Sequence, residues 1–200
     1  CYRAALEFAA DSPETHYNLG LAQLARGDCA NAEASFRRAL GFRPDFAEAH
    51  FSLGSALLQR GHHPEALECF SSAIRIRPAW AAPYNNLGIA LLELGRAGEA
   101  ENTLEEALGL DPSCAEAHLN LGNARLQMGR IVEAQASYRR ALELDPGYAQ
   151  AHSNLLLSLH YTIGDDAQAM YAEHLGWAAR HAAAAETLRH DHDLNRERRL

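Results

Sequence analysis

Small and apolar residues recur along the chain with a fixed spacing of thirty-four residues. The dipeptide Leu-Gly sets the phase, and two alanine positions, one large apolar position and a closing proline keep it. The recurring residues are Leu19-Gly20, Leu53-Gly54, Leu87-Gly88 and Leu121-Gly122; Ala32, Ala66, Ala100 and Ala134; Phe36, Phe70, Leu104 and Tyr138; Ala39, Ala73, Ala107 and Ala141; and Pro44, Pro78, Pro112 and Pro146. Five positions that keep one period over four units predict a repeat protein built from one supersecondary motif.

Each recurring position has a physical role that predicts a pair of helices in every unit. Glycine and alanine remove side-chain bulk, so two helices can approach each other closely. Proline lacks an amide hydrogen and therefore ends the second helix. Glu48 lies three residues after Asp45, and Glu116 lies three residues after Ser113, which predicts capping boxes at the start of two first helices. We therefore expect an all-α fold.

The units are expected to run over 13–46, 47–80, 81–114 and 115–148, and residues 1–10 match the end of a preceding second helix. We interpret residues 1–148 as an array that begins inside a partial repeat. The pattern resembles the tetratricopeptide-repeat family over most of the chain. The resemblance implies a right-handed superhelical solenoid whose first helices line a concave groove, while stacked units bury a continuous core.

A polar column lies two residues before each glycine and is expected to face this groove, because it stays polar beside apolar positions. It contains Asn18, Ser52, Asn86, Asn120 and Asn154. An asparagine amide carries donors and an acceptor, so it can pair with the backbone of an extended polypeptide. The predicted peptide-binding residues are Asn18, Asn86, Asn120, Asn123 and Asn154. The alternative is that these asparagines bond to a neighbouring helix.

The preceding column argues against a clamp for carboxylate groups. It contains Tyr17, Phe51, Asn85, Leu119 and Ser153, and none of these is a cation. The partner that we expect is therefore a polypeptide segment in extended conformation, held through its main chain. We expect no catalytic residue in the repeats, because no nucleophile–base constellation and no phosphate-binding glycine loop can be assembled.

Composition narrows the classes of partner further. The formal net charge is −8, and all 18 basic side chains are arginines. An acidic chain without a basic stripe predicts neither nucleic acid nor an anionic membrane as partner. The 4 cysteines form no CxxC pair, which favours buried thiols in a reducing, cytoplasmic compartment. The 11 histidines are scattered over different units, a turn and a polar tail, so we expect no metal site and no cofactor.

The repeat changes after Pro146. Leu156 stands where glycine is expected, and Gln168 stands where alanine is expected. A leucine there prevents the usual close approach, so the next helix, from about Asp166 to Leu188, should pack differently and cap the array. The residues expected on its packing face are Met170, His174, Trp177 and His181. We interpret 149–188 as a divergent fifth repeat with a capping helix, and 189–200 as a polar linker.

The amino-acid sequence from Ser153 to His181 supports a more specific hypothesis. The hypothesis rests on three stretches: Ser153-Asn154-Leu155-Leu156-Leu157-Ser158-Leu159-His160-Tyr161, then Ala172-Glu173-His174, and then Trp177-Ala178-Ala179-Arg180-His181. It resembles the junction between the repeats and the catalytic domain in bacterial and SPINDLY-type relatives of protein O-GlcNAc transferase. The resemblance implies that the chain is the acceptor-binding arm of a family-41 glycosyltransferase, whose catalytic domain would follow Leu200. The alternative is a free-standing adaptor joined to no enzyme.

Overall fold

The chain is all-helical wherever the computed structural model describes it, at residues 12–161 and 167–186. Its helices are α1 (Pro13–Leu24), α2 (Cys29–Phe42), α3 (Ala47–Gln59), α4 (His63–Ile76), α5 (Ala81–Glu93), α6 (Ala97–Leu110), α7 (Ala115–Gln127), α8 (Ile131–Leu144), α9 (Ala149–Leu159) and α10 (Ala167–Glu186). We call the pairs α1–α2, α3–α4, α5–α6 and α7–α8 units one to four. Within these described residues, no helix is both long and apolar enough to cross a bilayer.

Each helix packs on the next helix along the chain, and the first helices of successive units also contact one another. The chain turns back after each first helix at Gly27, Gly61, Gly95 or Gly129, where φ lies between 72° and 76°. Only glycine adopts this left-handed conformation without strain, so these glycines fix the helix–turn–helix geometry of a unit. The array is a superhelical solenoid of helix pairs, as the family resemblance implies.

The core lies where the glycine of a first helix meets the large apolar residue of the second helix. Phe36, Phe70, Leu104 and Tyr138 are completely buried. A Cβ atom added to Gly20, Gly54, Gly88 or Gly122 would lie 2.4–2.7 Å from the nearest side-chain atom of these residues. No side chain fits into such a gap without moving its neighbour, so glycine is what allows the two helices of a unit to touch.

The two predicted capping boxes are wrong. The residues that cap α3 and α7 are Phe46 and Cys114, and neither cap makes a side-chain hydrogen bond. The carboxylate of Glu48 pairs with the guanidinium of Arg77. The hydroxyl of Ser113 is also engaged elsewhere, since it donates to Asp111 Oδ1 at 2.7 Å. Side-chain caps are present at Ser12 and Asp28 instead.

One polar column connects the first helices α3, α5 and α7 to the segment that precedes each of them. Nε2 of His50 lies 2.8 Å from the carbonyl oxygen of Pro44, and Nε2 of His118 lies 3.2 Å from that of Pro112. The hydroxyl of Tyr84, in the same column, donates to the carbonyl of Pro78 at 3.1 Å. The histidines of this column therefore bridge two units.

The repeat ends differently from the way it begins. Leu156, in the glycine column, is buried in a cluster with Tyr138 and Leu159, and Trp177 of α10 packs against that cluster. The 20-residue α10 is thus the atypical capping helix. His174, which we expected on the packing face, is exposed and lies beside His160 at 6.1 Å between ring centroids. The partial repeat 1–10, the linker 189–200 and the side chains of Met170 and His181 lie outside the described residues.

Candidate functional site

Two recesses lie along the face formed by the first helices, which we call the first-helix face. The first, the distal recess, has a volume of about 440 Å³ and lies between α5, α7 and the start of α9. The second, the middle recess, has a volume of about 410 Å³ and lies between α3, α5, the end of α6 and the start of α7. Glu116 lines both recesses, so they are neighbours on one surface.

The walls of the distal recess combine apolar and amide side chains. Its apolar part consists of Ile89, Leu92, Leu119, Leu126 and Tyr148, and its polar part includes Asn120, Asn123, Gln127, Glu93 and Glu116. The middle recess is lined by Phe51, Asn85, Asn86, Asp111 and Cys114, among others. Such a mixture suits a polypeptide, which brings apolar side chains and backbone hydrogen-bonding groups to the same surface.

The predicted asparagines link successive first helices. Asn154 Nδ2 donates to Asn123 Oδ1 at 2.9 Å, and Asn86 Nδ2 donates to Ser55 Oγ at 3.4 Å. In both cases the acceptor lies three residues beyond the equivalent column of the preceding unit. Asn120 finds Ile89 at that position, so its amide turns to Asn85 Oδ1 at 3.0 Å instead.

These bonds decide how far each predicted residue reaches the surface. Asn120 lines the distal recess but is only 7% exposed, because its amide is used inside the helix layer. Asn86, Asn123 and Asn154 are half-buried, and Asn18 is exposed on α1. Each interhelical bond uses one of the two N–H groups of an asparagine amide. The structure thus brings Asn120, Asn123 and Asn154 together and leaves Asn18 apart, and peptide binding by these residues stays a prediction.

Tyr138 bonds to the cluster of Asn123 and Asn154, which we call the amide cluster. Its hydroxyl donates to Asn123 Oδ1 at 3.0 Å, so this oxygen accepts from both Tyr138 and Asn154. Burial raises the pKa of Tyr138 to about 12, so the phenol stays protonated and able to donate well into alkaline solution. The sequence analysis placed Tyr138 in the core and did not find this second role.

Charge is distributed unevenly along the first-helix face. In units one and two, arginines that follow the second helix neutralise glutamates of the first helix, namely Arg43 with Glu14 and Arg77 with Glu48. The equivalent residues in units three and four are Asp111 and Asp145.

The distal recess is therefore acidic. Among the described residues that line it are Glu93 and Glu116, and none is basic. Burial raises the pKa of Tyr148, and the nearby charges of Glu116 and Asp145 raise it further. The sequence analysis missed this feature, although the four residues Arg43, Arg77, Asp111 and Asp145 keep the repeat spacing and could have shown it.

Comparison with known proteins agrees with this architecture. Residues 41 to the end of MamA from Desulfovibrio magneticus RS-1 superpose with a TM-score of 0.77 at 20% identity, over 86% of this chain and 96% of that chain. PilF of Pseudomonas aeruginosa gives 0.73 at 25% identity, over 86% and 75%. YrrB, described as a TPR protein with an unusual peptide-binding site, gives 0.72 at 21% identity, over 95% and 98%. No curated protein matches the sequence.

The family is set by the sequence as well as by the fold. A tetratricopeptide-repeat family model matches residues 17–81, 85–149 and 120–185. These matches take in all four units and extend through α9 into α10. Together with the helix pairs, the turn glycines and the buried glycine contacts, they show that the chain belongs to the tetratricopeptide-repeat family.

Proposed function

We propose that this chain is a protein–protein interaction module that binds polypeptide segments in extended conformation along its first-helix face. The observation that carries this proposal is the pair of adjoining recesses, of about 440 and 410 Å³, with Glu116 between them. Repeat proteins commonly use such extended surfaces for binding, because each unit contacts only its neighbours and leaves one face open. Both volumes fall within the usual range of ligand pockets, about 300–1,000 Å³.

The spacing of the helices supports an extended ligand. Packed helices lie about 8–10 Å apart, and an extended chain advances about 3.3–3.6 Å per residue. One contact per unit would therefore fall at about every third residue of the ligand. Asn86 and Asn123 are half-buried and line the middle and distal recesses, and Asn154 bonds to Asn123. On this proposal, the amide groups left over from interhelical bonding meet the ligand backbone. A few hydrogen bonds of about 0.5–1.5 kcal/mol each give weak, exchangeable binding.

The similarity to YrrB adds support at the level of the fold. That protein is described as having an unusual peptide-binding site, and it shares the present architecture at 21% identity. This degree of likeness concerns the fold alone. It supports the view that an array of this kind can hold a peptide.

The first test replaces the two half-buried asparagines of the column, Asn86 and Asn154, with alanine. We expect the affinity for two unrelated unstructured peptides to fall about 5- to 100-fold, since two hydrogen bonds of about 0.5–1.5 kcal/mol are lost. The loss should be similar for both peptides and insensitive to salt, because the contacts are to main chain. Fluorescence anisotropy with the full 200-residue chain measures it.

Asn102→Ala is the matched control, because this asparagine is exposed on α6, a second helix, and lies away from both recesses. Thermal unfolding of each variant separates the two roles of the column. Unchanged affinity together with a lower melting temperature would show that the asparagines only join helices. Absence of binding by the wild type to any peptide would contradict the proposed function as a whole.

The finer proposal concerns the parent protein and its setting. The likeness of the segment from Ser153 to His181 to a repeat-to-catalytic-domain junction supports an acceptor-binding arm of a cytoplasmic protein O-linked glycosyltransferase. The half-buried free thiols of Cys29, Cys69 and Cys114 fit a reducing compartment. On this proposal the 200-residue chain itself transfers no sugar. Purified protein incubated with labelled UDP-N-acetylglucosamine and acceptor peptides should give background incorporation.

The second candidate is a free-standing adaptor. It is supported by the solved chains of MamA and YrrB, which are covered over 96% and 98% of their length by an array of this size. Sequencing the reading frame beyond the codon for Leu200 separates the two candidates. A Rossmann-like strand after Leu200 supports the glycosyltransferase arm, whereas a stop codon supports the adaptor.

A further inference from the structure

Units one and two show how this fold holds a cation on its own surface. The guanidinium of Arg43 lies 4.8 Å from the centre of the Phe46 ring and pairs with Glu14 of the same unit. Arg77 repeats this arrangement, with its guanidinium 4.9 Å from the centre of the Trp80 ring and paired with Glu48. In both units, an aromatic residue that precedes the next first helix and a glutamate from the current one contact the cation together.

Unit four has the same ring and carboxylate without the arginine. Tyr148 occupies the aromatic column and Glu116 the glutamate column, while Asp145 stands in the arginine column. The backbone there is the same, because Arg43, Arg77 and Asp145 have φ of −137°, −133° and −133°. The difference therefore lies in one side chain and not in the path of the chain.

The carboxylates of the distal recess pair with no cation in the part of the chain that the structure describes. Across residues 12–161 and 167–186, neither Glu93 nor Glu116 forms an ion pair, whereas Glu14 and Glu48 both do. Unit three also lacks the arginine–glutamate pair of units one and two, since it has Ala82 in the glutamate column and Asp111 in the arginine column. The distal recess thus combines an aromatic ring, two unpaired carboxylates and an aliphatic wall.

We propose that the distal recess binds an arginine side chain of the partner polypeptide, with its guanidinium over the Tyr148 ring and paired with Glu116. This inference rests on the proposed function and names the chemistry of its ligand, an extended segment in which arginine lies among aliphatic residues. The apolar stem of arginine would contact Leu119 and Leu126, which line the same recess. A planar guanidinium suits the ring and the carboxylate together better than an ammonium group does.

Overall electrostatics favour the same partner. The chain carries a formal net charge of −8, and the recess lining concentrates part of that charge at Glu93 and Glu116. A basic segment is therefore attracted before contact, and an acidic segment is repelled. Because these carboxylates are exposed, the preference should be strong at low salt and weak at high salt.

The test uses three labelled peptides that are identical except for the central residue, which is arginine, glutamine or glutamate. With the full chain, fluorescence anisotropy at low salt should rank the affinities in that order, with about 3- to 10-fold between arginine and glutamine. Glu116→Gln should clearly reduce the difference in affinity between the arginine and glutamine peptides, and the part that remains is the share of the Tyr148 ring and Glu93. Glu106→Gln removes the same charge from an exposed position on α6 and should change nothing.

A second variant, Asp145→Arg, installs the arginine that units one and two already have. It should pair with Glu116 inside the protein and remove the preference for the arginine peptide, with loss of the hydrogen bond that Asp145 Oδ1 accepts from the Gly147 N–H. Equal affinity of the wild type for all three peptides, or a preference that Glu116→Gln leaves undiminished, overturns this inference while the proposed function stands. Absence of binding by all three peptides overturns both.

Discussion

Replacing Gly88 with alanine should lower the free energy of unfolding by about 1–3 kcal/mol, the usual effect of overpacking a core. A Cβ atom at this position would lie 2.6 Å from Cγ of Leu104, which is fully buried and cannot move into solvent. The two helices of unit three must then separate. Because each unit contacts only its neighbours, the damage should begin locally.

The same substitution at Gly109 is the control, and it should have the opposite sign. Gly109 lies in α6 of the same unit, and an added Cβ atom there would meet no atom within 4 Å. Alanine should therefore stabilise the helix by about 0.4–1 kcal/mol, chiefly by restricting the unfolded chain. Denaturant unfolding gives both free energies. Hydrogen exchange of Gly88→Ala should show early opening over residues 81–114, and a uniform loss of protection along the chain would contradict the nearest-neighbour picture.

The helix pairs could be predicted from the sequence because every contact within a unit is repeated four times. Gly54 against Phe70 and Gly122 against Tyr138 are the same contact, so one physical explanation accounts for both. The predicted capping boxes are absent because the bonds of their side chains depend on residues outside the local motif. Glu48 fits the local motif, but Arg77, which is distant in sequence, takes its carboxylate. A local motif loses when a partner outside its window bonds more strongly.

The candidate site was only partly predictable, since its bonds cross from one unit to the next. The partner of Asn154 is Asn123, and the partner of Asn86 is Ser55. Neither is visible from one unit, because the pairing depends on how far adjacent first helices slide past each other. Asn120 departs from the rule because the expected acceptor position holds Ile89, and its amide is buried against Asn85 as a result.

The acidic recess could have been found in the sequence, and the reason for missing it is physical. The column next to the asparagines holds no cation. The cations of this array lie after the second helix, at Arg43 and Arg77, and reach back to the first helix. An arginine side chain is long, so its guanidinium lies far from its own Cα atom. The position of the residue in the repeat therefore does not show where its charge lies.

Replacing Tyr138 should give the largest fall in the free energy of unfolding, because this residue connects the core to the amide cluster. It is completely buried beneath Gly122, and its hydroxyl bonds to Asn123. Tyr138→Ala should therefore lower the free energy of unfolding by about 3–5 kcal/mol, as for other buried aromatic residues. Tyr138→Phe keeps the packing and loses one hydrogen bond, so it should cost only about 0.5–1.5 kcal/mol at neutral pH.

The difference between the wild type and Tyr138→Phe should change sign in alkaline solution. Burial raises the pKa of Tyr138 to about 12 in the folded chain, from 10.0. Below pH 10 the phenol is neutral in both states and its stabilisation is complete. Between pH 10 and 12 the unfolded chain ionises while the folded chain does not, so the wild type loses about 2–3 kcal/mol relative to Tyr138→Phe.

The composition of the chain simplifies the interpretation of this pH dependence. The chain has no lysine, so few other groups titrate in this window, and those that do, including the remaining tyrosines, are common to both proteins. Denaturant unfolding of the two proteins from pH 8 to pH 12 should give stability curves that cross. Curves that stay parallel would show that the Tyr138 phenol ionises as easily in the folded state as in the unfolded state. Its hydroxyl would then not be held as the protonated donor to Asn123 on which the cluster of Asn123 and Asn154 depends.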